Sequence, residues 1–272
     1  MKRTILKVEQ LGVCFRMSGG TIYSEGVRDI SLEIAGGEIL AVVGASGSGK
    51  SLLAHAVLGI LPYNAIRRGS IMYEGKEVTT KDQIALRGTK IALIPQSVTY
   101  LDPLMKVGKQ VRGIYGEEKE RRRVFERLQL SEFVTELYPF QLSGGMARRV
   151  LVSTALVCAS ELIIADEPTP GMELKDATEA LKRLREMADE GKAVMLITHD
   201  IDLAVEVADR IAVMYDGRLI DTVSATVFKG DGSDIRNPYT KALYHSLPQN
   251  GFRLYAAADV QAYASKKEAS PC

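Results

Sequence analysis

The segment Gly44-Ala45-Ser46-Gly47-Ser48-Gly49-Lys50-Ser51 constrains this chain more than any other. It follows an unbroken apolar run at 39–43 and precedes a helical pattern at 52–58. Strand, glycine-rich loop and helix, in that order, form the setting in which G-x-x-x-x-G-K-[ST] cradles phosphate. The glycines let successive backbone N–H groups turn inward toward phosphate oxygens, and the helix N-terminus adds a positive field. Lys50 has the reach to meet the outer phosphates, and the Ser51 hydroxyl can ligate Mg²⁺.

Four further apolar runs, at 91–94, 162–165, 194–197 and 211–214, are each bounded by charged or turn residues. Such runs are expected of strands covered on both faces. Their alternation with helical patterns predicts an α/β fold with a largely parallel core sheet. The first 38 residues differ: 6–15 and 27–34 alternate, with glycine pairs at 19–20 and 36–37, which predicts an antiparallel β-layer. Between 101 and 158 the strand signals stop. Residues 117–128 read as a charged amphipathic helix with both signs mixed, a solvated face within a helical insert. After Asp221 the pattern weakens, and the last twenty residues read as a loosely held tail.

The 35 basic and 34 acidic side chains leave a net charge of +1, which argues against a dedicated nucleic-acid module. Cys14, Cys158 and Cys272 lie far apart without metal-ligand spacing and read as reduced thiols. The basic start at Met1-Lys2-Arg3 is followed by no continuous apolar stretch, so no signal peptide is expected. The most apolar stretch, 150–165, contains Ser153, Thr154, Ser160 and Glu161, and is short of the roughly 20 apolar residues a span needs. Any membrane role is therefore expected to run through a partner.

Two other segments carry chemistry. Leu162-Ile163-Ile164-Ala165-Asp166-Glu167 is an apolar strand ending in two carboxylates. Placed beside the strand that feeds the phosphate loop, it would put Asp166 near Mg²⁺ through a water, and Glu167 where it could polarise an attacking water. Gln141-Leu142-Ser143-Gly144-Gly145-Met146 precedes a long helix expected to begin near Ala147. Ser143 is a good N-cap, so the bland reading is a capping loop. The other reading is a second phosphate cradle.

Residues 44–51, Gln96, Leu142–Met146, 162–167 and His199 occur in the order and approximate spacing of the ATP-binding-cassette (ABC) ATPases, and the chain resembles that family from about Ile5 to Asp221. The resemblance implies a P-loop NTPase cassette with a parallel core sheet, an N-terminal antiparallel β-layer and a helical subdomain. It divides the chain into an ATPase domain, 1–236, with the helical subdomain at about 97–158, and a C-terminal extension, 237–272. ATP and Mg²⁺ are the implied ligands. Phe15 would stack on adenine; Gly44, Ala45, Ser46, Gly47, Ser48, Gly49, Lys50 and Ser51 would hold phosphates; Ser51, Gln96 and Asp166 would serve Mg²⁺. Ser143, Gly144 and Gly145 would complete the site of a second cassette, which explains two cradles in one chain. Glu167, His199 and Lys50 would be catalytic. His55 and His245 have no comparable context and receive no role.

One segment departs from the family pattern. Where the loop after the carboxylates usually reads Ser/Thr-Ala/Gly-Leu-Asp, this chain has Pro170-Gly171-Met172-Glu173, an alteration expected to act on the partner's site. Residues 101–111, Tyr138-Pro139-Phe140, Met146 and Asn237-Pro238-Tyr239-Thr240-Lys241-Ala242-Leu243 resemble the peptide/nickel importer ATPases. Cys272 stands alone, so the cysteine-rich tail that some of those carry is not expected. That group implies two transmembrane permeases, a second ATPase subunit (a heterodimer, with a homodimer as the alternative), an extracytoplasmic binding protein and a peripheral place on the cytoplasmic face of the membrane. The competing reading is a soluble ABC protein acting on ribosomes or DNA. Those relatives usually carry paired cassettes or long coiled coils, whereas this chain has one motif set and no sustained heptads.

Overall fold

The computed structural model describes residues 2–16, 23–113 and 116–252. The glycine pair at 19–20, the tail at 253–272 and Cys272 lie outside them. Strand β1 (Thr4–Arg16) pairs antiparallel with β2 (Tyr23–Ala35), setting Val13 opposite Val27 and Leu6 opposite Ile34. After β3 (Glu38–Val43) and helix α1 (Lys50–Leu58), strands β4 (Ala65–Tyr73) and β5 (Lys76–Glu77) complete a four-stranded antiparallel sheet ordered β2-β1-β4-β5. Helix α2 (Thr80–Leu86) is fixed at its start by a reciprocal capping box between Thr79 and Asp82. It then secures the end of α1: Gln83 donates to the carbonyls of Ala56 and Val57, and Arg87 to those of Leu58 and Gly59. The last carbonyls of a helix lack i+4 partners; here Ala56 also accepts from the Gly59 N–H of the C-cap.

The second sheet adds β6 (Ile91–Ile94), β7 (Leu162–Asp166), β8 (Ala193–Thr198), β9 (Arg210–Tyr215) and β10 (Arg218–Ser224). Its order is β10-β9-β3-β8-β7-β6, five parallel strands with β10 as an antiparallel edge. Its two faces follow the period of two along each strand. Ile39, Ala41, Ile163, Ala165, Val194 and Leu196 face one core; Leu40, Val42, Leu162, Ile164, Met195 and Ile197 face the other. The second core is closed by α1 and the antiparallel sheet. The first is closed by α3 (Val107–Arg112), α4 (Glu118–Arg127), α5 (Gly144–Leu156), α6 (Leu174–Asp189) and α7 (Ile201–Val207). Helices α8 (Ala225–Lys229) and α9 (Pro238–Ser246) pack into that same core through Phe228, Tyr239 and Tyr244.

Three expectations change. The carboxylate-ending strand β7 is not beside β3, because β8 lies between them. Helix α5 starts at Gly144 rather than near Ala147, since the Ser143 side chain accepts from the Met146 N–H and starts the helix ahead of both glycines. Cys14, read as a free thiol, is disulfide-bonded, whereas Cys158 is free. Strands β4 and β10 had no sequence signal: Arg67, Arg68 and Gly69 interrupt the alternation of one, and the other is a half-exposed edge.

Candidate active site

The carboxyl ends of β3, β8 and β7 lie side by side, with Val43 paired to Thr198 and Asp166 to Ile197. Everything that follows those ends is therefore gathered at one edge of the sheet. The loop after β3 is shaped by backbone that a side chain would obstruct. Gly44 has φ +156°, and a Cβ there would sit 2.2 Å from the Met214 carbonyl oxygen; Gly49 has φ +95°, and its Cβ would meet the Gly26 carbonyl at 2.6 Å. A Cβ at Gly26 would in turn run into the Leu52 and Phe15 side chains, which places the half-buried Phe15 ring on the flank of the loop. The Ser48 hydroxyl oxygen is buried beside Gly44 without a hydrogen-bond partner in this structure.

Lys50, buried at the first position of α1, folds back over the loop and donates from Nζ to the carbonyls of Gly44 (2.8 Å) and Ala45 (3.0 Å). Burial pushes its ammonium below the ordinary value, against the pull of Glu167 and Asp166. A cation in that position is suited to binding an anion. Ser51 Oγ donates to Asp166 Oδ1 at 3.0 Å, across the width of β8. Burial pushes the Asp166 carboxyl above its ordinary value, and the Ser51 hydrogen bond pulls the other way. The hydroxyl and carboxylate are hard oxygen donors, the chemistry Mg²⁺ selects, so the residues present fit that ion.

Glu167 is where the chain leaves β7, and it does so at φ +49°, a left-handed conformation costly for a residue with a Cβ. Its N–H donates to the Ile197 carbonyl at 2.9 Å, which holds the turn. The carboxylate meets His199 Nδ1 at 2.8 and 3.0 Å. His199 is held on both sides: Thr198 Oγ1 accepts from the Asp200 N–H, and Asp200 caps α7 by accepting from the Leu203 N–H. The imidazole is 60% exposed and the Glu167 side chain 10%, so the pair presents one open and one sheltered member.

Other sequence-derived residues stand apart. The Gln96 side chain is exposed and makes no hydrogen bond to Ser51 or Asp166 among the described residues. Ser143, Gly144 and Gly145 are exposed at the start of α5, with no hydrogen bond to the 44–51 loop among the described residues. Sequence reading missed Arg148, whose Nη1 donates to the Gln96 carbonyl at 2.9 Å and whose Nη2 donates to the Pro170 carbonyl. Its signal was the adjacent pair Arg148-Arg149, the two charged residues of α5.

A model of the ABC transporter family matches residues 27–170. The chain belongs to the ABC transporter family. As an ABC protein it is 38% identical over 262 residues to the oligopeptide transport ATP-binding protein OppD of Lactococcus lactis subsp. cremoris, covering 90% of this chain and 76% of that one. It is 33% identical over 267 residues to the dipeptide transport ATP-binding protein DppD of Bacillus subtilis, covering 90% and 77%. Its fold matches the dimeric post-hydrolysis state of the ATP-binding cassette MJ0796 bound to ADP and Pi, with TM-score 0.71 and 25% identity over 81% of this ABC chain and 99% of that one.

Proposed function

We propose that this chain is the ATP-hydrolysing subunit of an ABC importer for peptides. The observation that carries the reading is the Glu167 carboxylate, turned out of β7 at the edge where Lys50, Ser51 and Asp166 gather. ATP would bind with its phosphates on residues 44–51 and its adenine on Phe15. Ser51, Asp166 and the Gln96 side chain, once it swings in, would hold Mg²⁺. When bound, the ion neutralises phosphate charge and orients the outer oxygens. Glu167 accepts a proton from the attacking water, and His199, in contact with that carboxylate, steadies it and stays open to the γ-phosphate. Lys50 meets charge that develops on the leaving phosphates.

The second cradle, Ser143 to Gly145, is exposed and unused within the chain. That supports a head-to-tail pair of cassettes in which each serine serves the other's nucleotide. The altered loop at 170–173 favours a heterodimer. The named oligopeptide and dipeptide relatives support peptide cargo over nickel, and transport over ribosome or DNA work. No helix among the described residues is long and apolar enough to cross a membrane. Coupling would therefore go through two permeases on the cytoplasmic face, fed by an external binding protein. Residues 1–236 would form the ATPase domain, with 97–158 as its helical subdomain, and 237–272 an importer-type extension. Tyr100, Leu104, Met105 and Phe140 are exposed in that region and would be covered by the permeases.

The experiment is gentle affinity purification from native membranes with mass spectrometry. Two multi-span permeases and a second cassette are expected; ribosomal or DNA-bound proteins without a permease would overturn the transport reading.

A further inference from the structure

Arg148 occupies an unusual electrostatic position. It lies half-buried early in α5, five residues past Ser143, and makes no ion pair among the described residues. Burial pushes its guanidinium below the ordinary value with no carboxylate in opposition. Its charge is met instead by two carbonyl dipoles, Gln96 at 2.9 Å and Pro170 at 2.5 Å. Those carbonyls follow β6 and β7, neighbouring parallel strands whose carboxyl ends lie together. One planar fork therefore joins three pieces of the site. They are the helix bearing the Ser143–Gly145 loop, the loop bearing Gln96, and the loop at 170–173 that follows Asp166-Glu167-Pro168-Thr169.

A half-buried charge without an anionic partner contributes little stability, because an apolar side chain of similar volume does as well. Its geometry is what an apolar residue cannot supply. Arginine presents donors in a rigid plane, so two acceptors bound to it are held at a fixed mutual spacing. Gly171 at φ +75° turns the chain immediately after Pro170.

We propose that Arg148 is a positioning residue that sets the Gln96 loop and the 170–173 loop in one register with α5, so that a movement of any one is passed to the others. The proposal rests on the ATPase reading above for its catalytic consequence. Its mechanical content stands separately.

The test uses the 272-residue chain with Arg148→Gln and Arg148→Lys. Amide hydrogen exchange without nucleotide should rise together in the 96–100 and 169–173 segments of Arg148→Gln while Tm stays unchanged. ATP affinity and KM should also stay unchanged, and kcat should fall about 10- to 100-fold, the scale of a misplaced reactive geometry. Lysine keeps the charge without the fork and should remain near the glutamine variant. Unchanged exchange in either loop, full turnover in Arg148→Gln, or full rescue by lysine would overturn the proposal. So would a fall in Tm and ATP affinity parallel to kcat. Turnover is read in the purified assembly with the second cassette; its absence in the wild-type assembly, with the exchange result intact, would count against the ATPase reading instead.

Discussion

His199 Nδ1 lies 2.8 Å from Glu167 Oε2, joining the residue that leaves β7 to the residue that leaves β8. The two are neighbours because β7 and β8 are paired in parallel, with Asp166 opposite Ile197. Glu167→Gln keeps the shape and the hydrogen-bonding reach but cannot take a proton from water. Turnover should fall about 10²- to 10⁴-fold, with ATP affinity retained. Single-turnover hydrolysis alongside nucleotide binding checks this, and retained turnover would remove Glu167 as the base.

Lys50→Met separates the cost of a buried charge from its use. Without nucleotide the variant should lie within about 1 kcal/mol of wild type, since two carbonyl hydrogen bonds are lost while a desolvated ammonium is removed. At ATP about 100-fold above Kd, wild type should gain about 2.7 kcal/mol that the variant lacks. The folded lysine titrates below its ordinary 10.5, so between that depressed value and 10.5 the unfolded chain binds more protons. Wild-type stability should therefore rise relative to the variant as pH climbs through that window. Denaturant melts at several pH values measure both.

Arg121 on α4 is 2% exposed and ion-paired to Glu118 and Glu132, with its guanidinium 5.0 Å from the Phe125 ring centre. Hydrogen bonds from Arg121 hold both carboxyls below the ordinary glutamate value of 4.5. A depressed folded value means that this stabilisation is complete above 4.5 and is lost as pH falls through the folded value. Arg121→Met should abolish that acid-dependent component while costing only about 1 kcal/mol at neutral pH, because the glutamates are well solvated. Equal acid sensitivity in both proteins would show that the pairs contribute nothing.

Glu173 occupies the N-cap of α6 without making a capping hydrogen bond. Aspartate is a favoured cap, one methylene shorter, so Glu173→Asp should add about 0.5–1 kcal/mol and raise Tm by about 1–3 °C. Because this loop is proposed to serve the partner's site, hydrolysis by the assembled pair should also change measurably. A stability gain with unaltered hydrolysis would leave the substitution as a helix cap alone.

The phosphate loop, the five buried strands and the two carboxylates were readable in order along the chain, because each depends on local spacing. A glycine-rich turn between strand and helix binds phosphate with its own backbone, and an apolar run of strand length buries itself on either face. What could not be read was who stands next to whom. The order β3-β8-β7 places His199 between the phosphate loop and Glu167, and it is set by packing across the whole sheet. Strands β4 and β10 depend on pairing with β1 and β9 rather than on any pattern of their own. Arg148 reaches Gln96 across 52 positions and Pro170 across 22. A carbonyl acceptor leaves no mark on side-chain chemistry, so that link exists only once the sheet has brought the two loops together.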